Sequence, residues 1–206
     1  MVKSYTKAFV FAVLFLFILG FIYPTVTALI TEHALPFQSE GQPVEIDGHI
    51  YGSYLLAEAF NSSFFFQPRP SAIDYNLSES GSYDYSLGNP AMLNLTEKYL
   101  HRFLSENPGV NISEIPYAMI SYSGSGLDPD IPLQGAIIQI PRISIALHNI
   151  TNLSISYLYS FLYSIVNSTK AQNFPFFGSY YVNVVHLNVD IIEFLLRDGY
   201  ISRSQI

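Results

Sequence analysis

The sequence predicts an α+β protein, with one N-terminal transmembrane helix followed by a single mixed α+β extracytoplasmic domain. Three observations predict it. A run of 24 residues without charge, Ala8 to Thr31, is dominated by Phe, Leu, Ile and Val. Beyond it, apolar residues recur at helical spacing in some stretches and alternate in others. Prolines, glycines and asparagines stand between those stretches, where they start or stop such elements.

The uncharged run comes first. At about 1.5 Å per helical residue it covers roughly 36 Å, more than the ~30 Å hydrocarbon core of a bilayer requires. A secretory signal peptide competes with this reading, but its apolar region normally runs only about 7–15 residues. The best cleavage candidate, Val26-Thr27-Ala28, also lacks a small residue at its first position, so the segment reads as an uncleaved anchor. Lys3 and Lys7 precede the run and Glu32 follows it. The excess of positive charge on the cytoplasmic side then fixes orientation. Residues 1–7 form a short cytoplasmic N-terminus, residues 8–31 the span, residues 32–43 a linker and residues 44–206 the extracytoplasmic domain.

The linker is punctuated by Pro36, Gly41 and Pro43. Val44 to Tyr54 alternates and contains Asp47-Gly48, a hairpin signal. Residues 61–90 are rich in Ser, Asn, Tyr, Gly and Pro and show little periodicity, as in a long functional loop. Asn89-Pro90 opens a helix in the cap-then-proline order; its stripe is Met92, Tyr99, Leu100, Phe103 and Leu104, and Asn107-Pro108-Gly109 ends it. Residues 115–122 read as a strand and Ser123 to Gly126 as a flexible turn. A helix is expected from Asp128-Pro129 or Asp130, broken or kinked by Pro141. Residues 153–166 give an amphipathic helix on Leu153, Tyr157, Leu158, Phe161, Leu162 and Ile165. Tyr181 to Leu187 reads as a strand, and a short helix ended by Asp198-Gly199 follows.

Composition narrows the function classes. Hydrophobic residues make up 50% of the chain and charged residues only 12%, against roughly a quarter charged in ordinary soluble domains. The net charge of −7, less the two N-terminal lysines, leaves −9 for the exterior, which disfavours nucleic acid as a partner. With no cysteine in the chain, disulfides, thiolate metal sites and cysteine nucleophiles are excluded. Seven of the 12 asparagines lie in Asn-x-Ser/Thr: Asn61, Asn76, Asn94, Asn111, Asn149, Asn152 and Asn167. Chance would give about two at this Ser and Thr content, and the excess reads either as a glycosylated exterior or as a polar surface of low charge.

Catalytic signatures are missing. The glycine-rich turn at Ser123–Gly126 has no lysine nearby, so it is not a phosphate-binding loop. The five histidines are scattered and no His-Glu-x-x-His zinc motif occurs. Ser125 with His148 or His186 and Asp128 could compose a hydrolytic set, yet no spacing singles them out. One helix cannot enclose an ion path, and no filter motif is present. Arg69, in Pro68-Arg69-Pro70-Ser71, and Arg142, in Gln139-Ile140-Pro141-Arg142, stand out because cations are few. Each is either an internal tie that pins a loop or a contact to a partner subunit.

Several short motifs in one order carry a resemblance. Gly20-Phe21-Ile22-Tyr23-Pro24 with Thr27 lies in the span, and Pro36-Phe37-Gln38 with Gly41 lies in the linker. Gly52-Ser53, Phe60, Arg69-Pro70-Ser71, Tyr75-Asn76 and Asn89-Pro90 follow. Ser125-Gly126-Leu127-Asp128-Pro129, Gln139-Ile140-Pro141-Arg142, Val182-Asn183-Val184 and Leu187-Asn188 complete the set. Over nearly its whole length the chain resembles the small C subunit of the Kdp-type potassium-transporting ATPase. It departs from that family's pattern at Pro68, at Ser80 to Tyr85 and at His186.

The resemblance implies an accessory subunit in a four-part pump. Its partners would be a potassium-selective channel-like subunit, an ATP-hydrolysing P-type subunit and a very small membrane subunit. It also implies a stabiliser and catalytic chaperone that promotes ATP use, with Gln139 as the position for nucleotide contact. It implies partner or structural roles for Tyr23, Pro24, Arg69, Ser71, Ser125, Gly126, Asp128, Arg142, Asn183 and Asn188. ATP is cytoplasmic whereas the charge rule places Gln139 outside, so the expected influence on ATP use is allosteric. The alternative function is a membrane-anchored extracellular hydrolase or glycan-binding module. Scarce charge, replaced by Tyr, Ser and Asn, further suggests an acidic exterior, and sequons without cysteines suggest an archaeal source.

Overall fold

The computed structural model describes residues 2–46, 48–86, 88–174 and 177–202. The chain divides into two compact units, Met1–Pro43 and Val44–Ile206. Asp47 of the hairpin signal lies outside the described residues.

The first unit is helical. Helix α1 (Val2–Phe17) leads into a π-helical turn, Ile18–Ile22, and then into α2 (Tyr23–Ala34). The turn has a physical cause in Pro24, which has no N–H to donate and whose ring would strike the carbonyl four residues back. The wider turn, in which Tyr23 N–H donates to Ile18 O, accommodates it and keeps the helix continuous. From Ser4 to Ala34 this gives 31 helical residues long and apolar enough to cross a membrane, none of them buried. The helix thus continues past Thr31, and Pro36–Ser39 forms one further helical turn, α3.

The second unit is the mixed α+β domain. Strands β1 (Pro43–Ile46) and β2 (His49–Ser53) pair as a small sheet. No helix or strand occurs among the described residues between Ser53 and Pro90. Helix α4 (Pro90–Glu106) starts where the Asn89 side chain accepts from Ala91 N–H, and it buries Met92 and Phe103. Strand β3 (Asp130–Pro132), helices α5 (Leu133–Ile137), α6 (Ile140–Thr151) and α7 (Ile155–Thr169), strands β4 (Ala171–Phe174) and β5 (Phe177–Asn183), and helix α8 (Val184–Arg197) follow. The larger sheet runs β3-β5-β4, antiparallel, with Asp130 opposite Asn183 and Ile131 opposite Val182.

Four expectations change. Residues 115–122 are not a strand but carry a 3₁₀ turn, Tyr117–Ile120, because Pro116 has no N–H to offer and its carbonyl accepts from Met119 N–H. Asp128-Pro129 leads into a strand rather than a helix: the Asp128 carboxylate accepts from the N–H of Asp130, where β3 begins, and Pro132 holds an extended ψ until Leu133. Strand β5 ends at Asn183, whose side chain accepts from His186 N–H, so Val184 to Leu187 is the first turn of a 14-residue helix. Short apolar runs do not distinguish strand from buried helix. Tyr157 is 53% exposed, and the buried stripe of α7 is Leu158, Leu162 and Val166.

The core gathers Ile131 and Val182 of the sheet with Ile140, Ile143, Leu147, Leu158, Leu162, Leu187, Ile191 and Leu195 of the helices. A second, smaller cluster joins Val44 and Ile46 of the hairpin to Val185, Val189 and Ile192. Helix α8 therefore buries two faces, one in each cluster. That is why it reads as nearly continuous apolar sequence.

Candidate functional site

Phe66 is fully buried in the main core although it belongs to the long irregular segment after β2. Burying a phenylalanine contributes about 1.5–3 kcal/mol, but it also takes a backbone N–H and C=O out of water, and these must find partners. Asn188, on the buried side of α8, supplies both. Its Oδ1 accepts from Phe66 N–H at 2.8 Å, and its Nδ2 donates to Phe66 O at 3.0 Å. Gln139 does the same for the next residue: its Oε1 accepts from Gln67 N–H at 2.8 Å, and its Nε2 donates to Gln67 O at 3.3 Å. Successive residues of an extended chain point their amides to opposite sides, and here each side meets one carboxamide. Side chains replace the neighbouring strand that a sheet would provide.

Gln139 is 0% exposed and has further partners. Its Nε2 also donates to Gly135 O at 3.0 Å, and its Oε1 accepts from Arg142 Nη2 at 2.9 Å. Both ends of the amide are engaged inside the domain. Proline explains the placement: Pro141 takes the first turn of α6, where its missing donor is harmless, so the chain turns between α5 and α6 with Gln139 at the corner.

Arg142 completes this end. Its guanidinium donates to the carbonyls of Ser63 and Phe65 and, through Nε at 3.0 Å, to Asn107 Oδ1. Burial lowers its pKa to about 10, with the Glu106 charge opposing that shift; it stays charged near neutrality. Asn107 is 2% exposed, and its Nδ2 donates to Phe103 O, so the stop of α4 is also a bracket for Arg142.

Arg69 secures the other end. Its Nη1 donates to Asp128 Oδ2 at 2.9 Å and its Nη2 to Tyr122 O at 3.2 Å. Ser71 Oγ accepts from the N–H groups of Ile73 and Tyr75, while Tyr75 donates its hydroxyl to Arg69 O at 2.8 Å. Burial pushes the Tyr75 phenol up to about 12, so it remains a donor. Ser125 O accepts from Gly81 N–H at 2.9 Å. Gly126 has φ +73°, and an added Cβ would lie 2.7 Å from Ile73, so only glycine fits this close approach. Asn183 Nδ2 donates to Tyr54 O at 2.7 Å.

Of the residues singled out in sequence, Arg69, Ser71, Ser125, Gly126, Asp128, Gln139, Arg142, Asn183 and Asn188 are thus brought together as ties on residues 54–81. Tyr23 and Pro24 lie in the first unit. Asn107, Gln67 and Tyr75 complete the network without having been singled out as site residues; an asparagine before Pro108-Gly109 at the end of a helix was the signal at Asn107. The hydrolytic set is not assembled. Ser125 Oγ accepts from Leu127 N–H, His148 Nδ1 lies 2.6 Å from Leu153 O, and His186 stacks on Tyr54 with ring centres 3.9 Å apart. Among the described residues no three His, Asp or Glu side chains cluster to hold a metal ion.

A family model described as K+-transporting ATPase, c chain, matches residues 5–193. The chain belongs to this family. It is 91% identical over 204 residues to the potassium-transporting ATPase KdpC subunit of Thermoplasma acidophilum, covering 99% of this chain and 100% of the relative. The subunit of the same name from Thermoplasma volcanium is 71% identical over 202 residues, covering 98% and 97%. That from Caldanaerobacter subterraneus subsp. tengcongensis is 34% identical over 183 residues, covering 89% and 91%.

The displaced carboxylates share a direction. Burial raises the pKa of Glu58, of Asp130 (with the Asp128 charge adding and the Asn183 hydrogen bond opposing) and of Asp190 (with the Glu193 charge adding). A raised folded-state pKa means the native state binds the proton more tightly than the unfolded chain. That contribution is fully present below the ordinary carboxylate pKa of about 4 and is lost as pH rises through the raised values. Burial lowers the pKa of His186, which opposes this trend as pH falls below 6.5. With His186→Asn, denaturation midpoints in detergent are therefore expected to rise as pH falls from 7 towards 4, and a steady fall over that range would refute this.

Truncating an amide clamp leaves two buried backbone groups unpaired, each costing about 1–3 kcal/mol. Asn188→Ala and Gln139→Ala are each expected to lower unfolding free energy by about 2–6 kcal/mol, read by chemical denaturation. Asn188→Asp, which keeps the acceptor and loses the donor, is expected to be no better tolerated. A loss below about 0.5 kcal/mol, the range of ordinary surface substitutions, would contradict the clamp.

Proposed function

We propose that this chain is the accessory subunit of an ATP-driven potassium uptake complex, neither phosphorylated nor pore-forming. The apolar helix Ser4–Ala34 anchors it, with the N-terminus in the cytoplasm and residues 44–206 outside. Its partners are a potassium-selective channel-like subunit, an ATP-hydrolysing P-type subunit and a very small membrane subunit. One observation carries the reading. Across a family match that spans residues 5–193, the motif residues of the domain are engaged in holding their own loop rather than in composing an active site.

The same observation bears on ATP. Both ends of the Gln139 amide are occupied by Gln67, Gly135 and Arg142, so contact with nucleotide would require breaking a buried network. The chain stabilises the assembly and acts as a catalytic chaperone by allosteric coupling through its docked span, changing how tightly the ATPase subunit holds ATP without touching it. The closed polar network suits this role, because packed side chains and hydrogen-bond networks are what carry coupling between distant sites.

Purification from native membranes tests the reading. The chain is expected to co-purify with potassium-stimulated ATPase activity, and complex stripped of it is expected to show a raised KM for ATP. A photoreactive ATP analogue is expected to label the ATPase subunit and leave this chain unlabelled. A chain that purifies alone with hydrolase or glycan-binding activity would support the alternative; labelling at Gln139 would restore direct nucleotide contact.

A further inference from the structure

The asparagines of the domain fall into two groups. The four outside sequons whose side chains are described, Asn89, Asn107, Asn183 and Asn188, are buried or half-buried, and each carries a cap or a tie. Of the seven sequon asparagines, all but Asn167 are exposed. The sequons divide again by context. Asn94, Asn149 and Asn167 lie within helices α4, α6 and α7, and the hydroxyls of Thr96, Thr151 and Thr169 donate to helix carbonyls. Asn61, Asn76, Asn111 and Asn152 lie outside the α-helices, Asn111 at the cap of a single 3₁₀ turn, Ile112–Glu114, and their sequon serines Ser63, Ser78, Ser113 and Ser154 are exposed.

We propose that Asn61, Asn76, Asn111 and Asn152 are N-glycosylated on the folded domain, and that the three helical sequons stay bare. The proposal rests on the placement of the domain outside the membrane. The donor is a lipid-phosphate-linked oligosaccharide, used by a membrane transferase. The asparagine Nδ2 forms a bond to the sugar C1 as the C1–O bond to phosphate breaks. The lipid phosphate leaves with the electron pair, and the amide gives up one proton. An enzyme that bends the acceptor around its hydroxyl needs chain outside the continuous hydrogen-bond ladder of an α-helix. At Asn76 and Asn111 the turn already exists, since each Oδ1 accepts from the serine N–H two residues on.

The test joins site-resolved glycopeptide mass spectrometry of the protein from native membranes with protease treatment of intact cells. Expected are proteolysis beyond Glu32, glycan mass at the four loop sites and unmodified Asn94, Asn149 and Asn167. Asn111→Gln is expected to remove one glycan mass and leave co-purification unchanged. Proteolysis with all four loop sites bare overturns the proposal and leaves the placement standing. Equal occupancy of the helical sites overturns selection by the folded structure. Protection from protease together with bare sites overturns the placement and the proposal with it.

Discussion

Everything in the domain depends on how an irregular chain can pass through a core. Residues 66 and 67 enter the interior without a neighbouring strand, and their amides are met by the side chains of Asn188 and Gln139. A carboxamide carries a donor and an acceptor side by side, as a peptide group does, so it can stand in for the missing strand. The alternative, two buried and two half-buried backbone groups without partners, would cost more than burying Phe66 contributes. The clamp is thus a condition of the packing and not an ornament on it.

The scaffold behind the clamp follows from α8. This helix presents Leu187, Ile191 and Leu195 to the main core and Val185, Val189 and Ile192 to the hairpin, and Asn188 lies between the two sets. Gln139 is held on the far side by the corner between α5 and α6, which Pro141 fixes. Arg142 and Arg69 then tie the flanks of the loop to Asn107 and Asp128. With so few cations in the chain, these two work inside the fold.

Local features were legible in the sequence and distant ones were not. The cap at Asn89 acts within two residues, so composition alone marks it, and the apolar run to Thr31 announces by its length the long apolar helix that follows. Boundaries failed where two structures satisfy one pattern: Val184 to Leu187 is equally apolar as strand or helix, and only the Asn183 side chain decides. The clamp itself joins residues 122 and 72 positions apart, and no spacing rule reaches that far. The family motifs named Gln139, Arg142 and Asn188 without saying what they hold. A polar amide inside an apolar helix was the residue-level sign that something must be held.

The most direct measurement is native-state hydrogen exchange at the backbone amides of Phe66 and Gln67 in the full-length protein. If the carboxamides of Asn188 and Gln139 hold this segment as a strand would, both amides will exchange as slowly as the buried amides of α8. Exchange at the rate of the exposed residues around Ser80 would mean that the segment opens freely, and that the core closes without it.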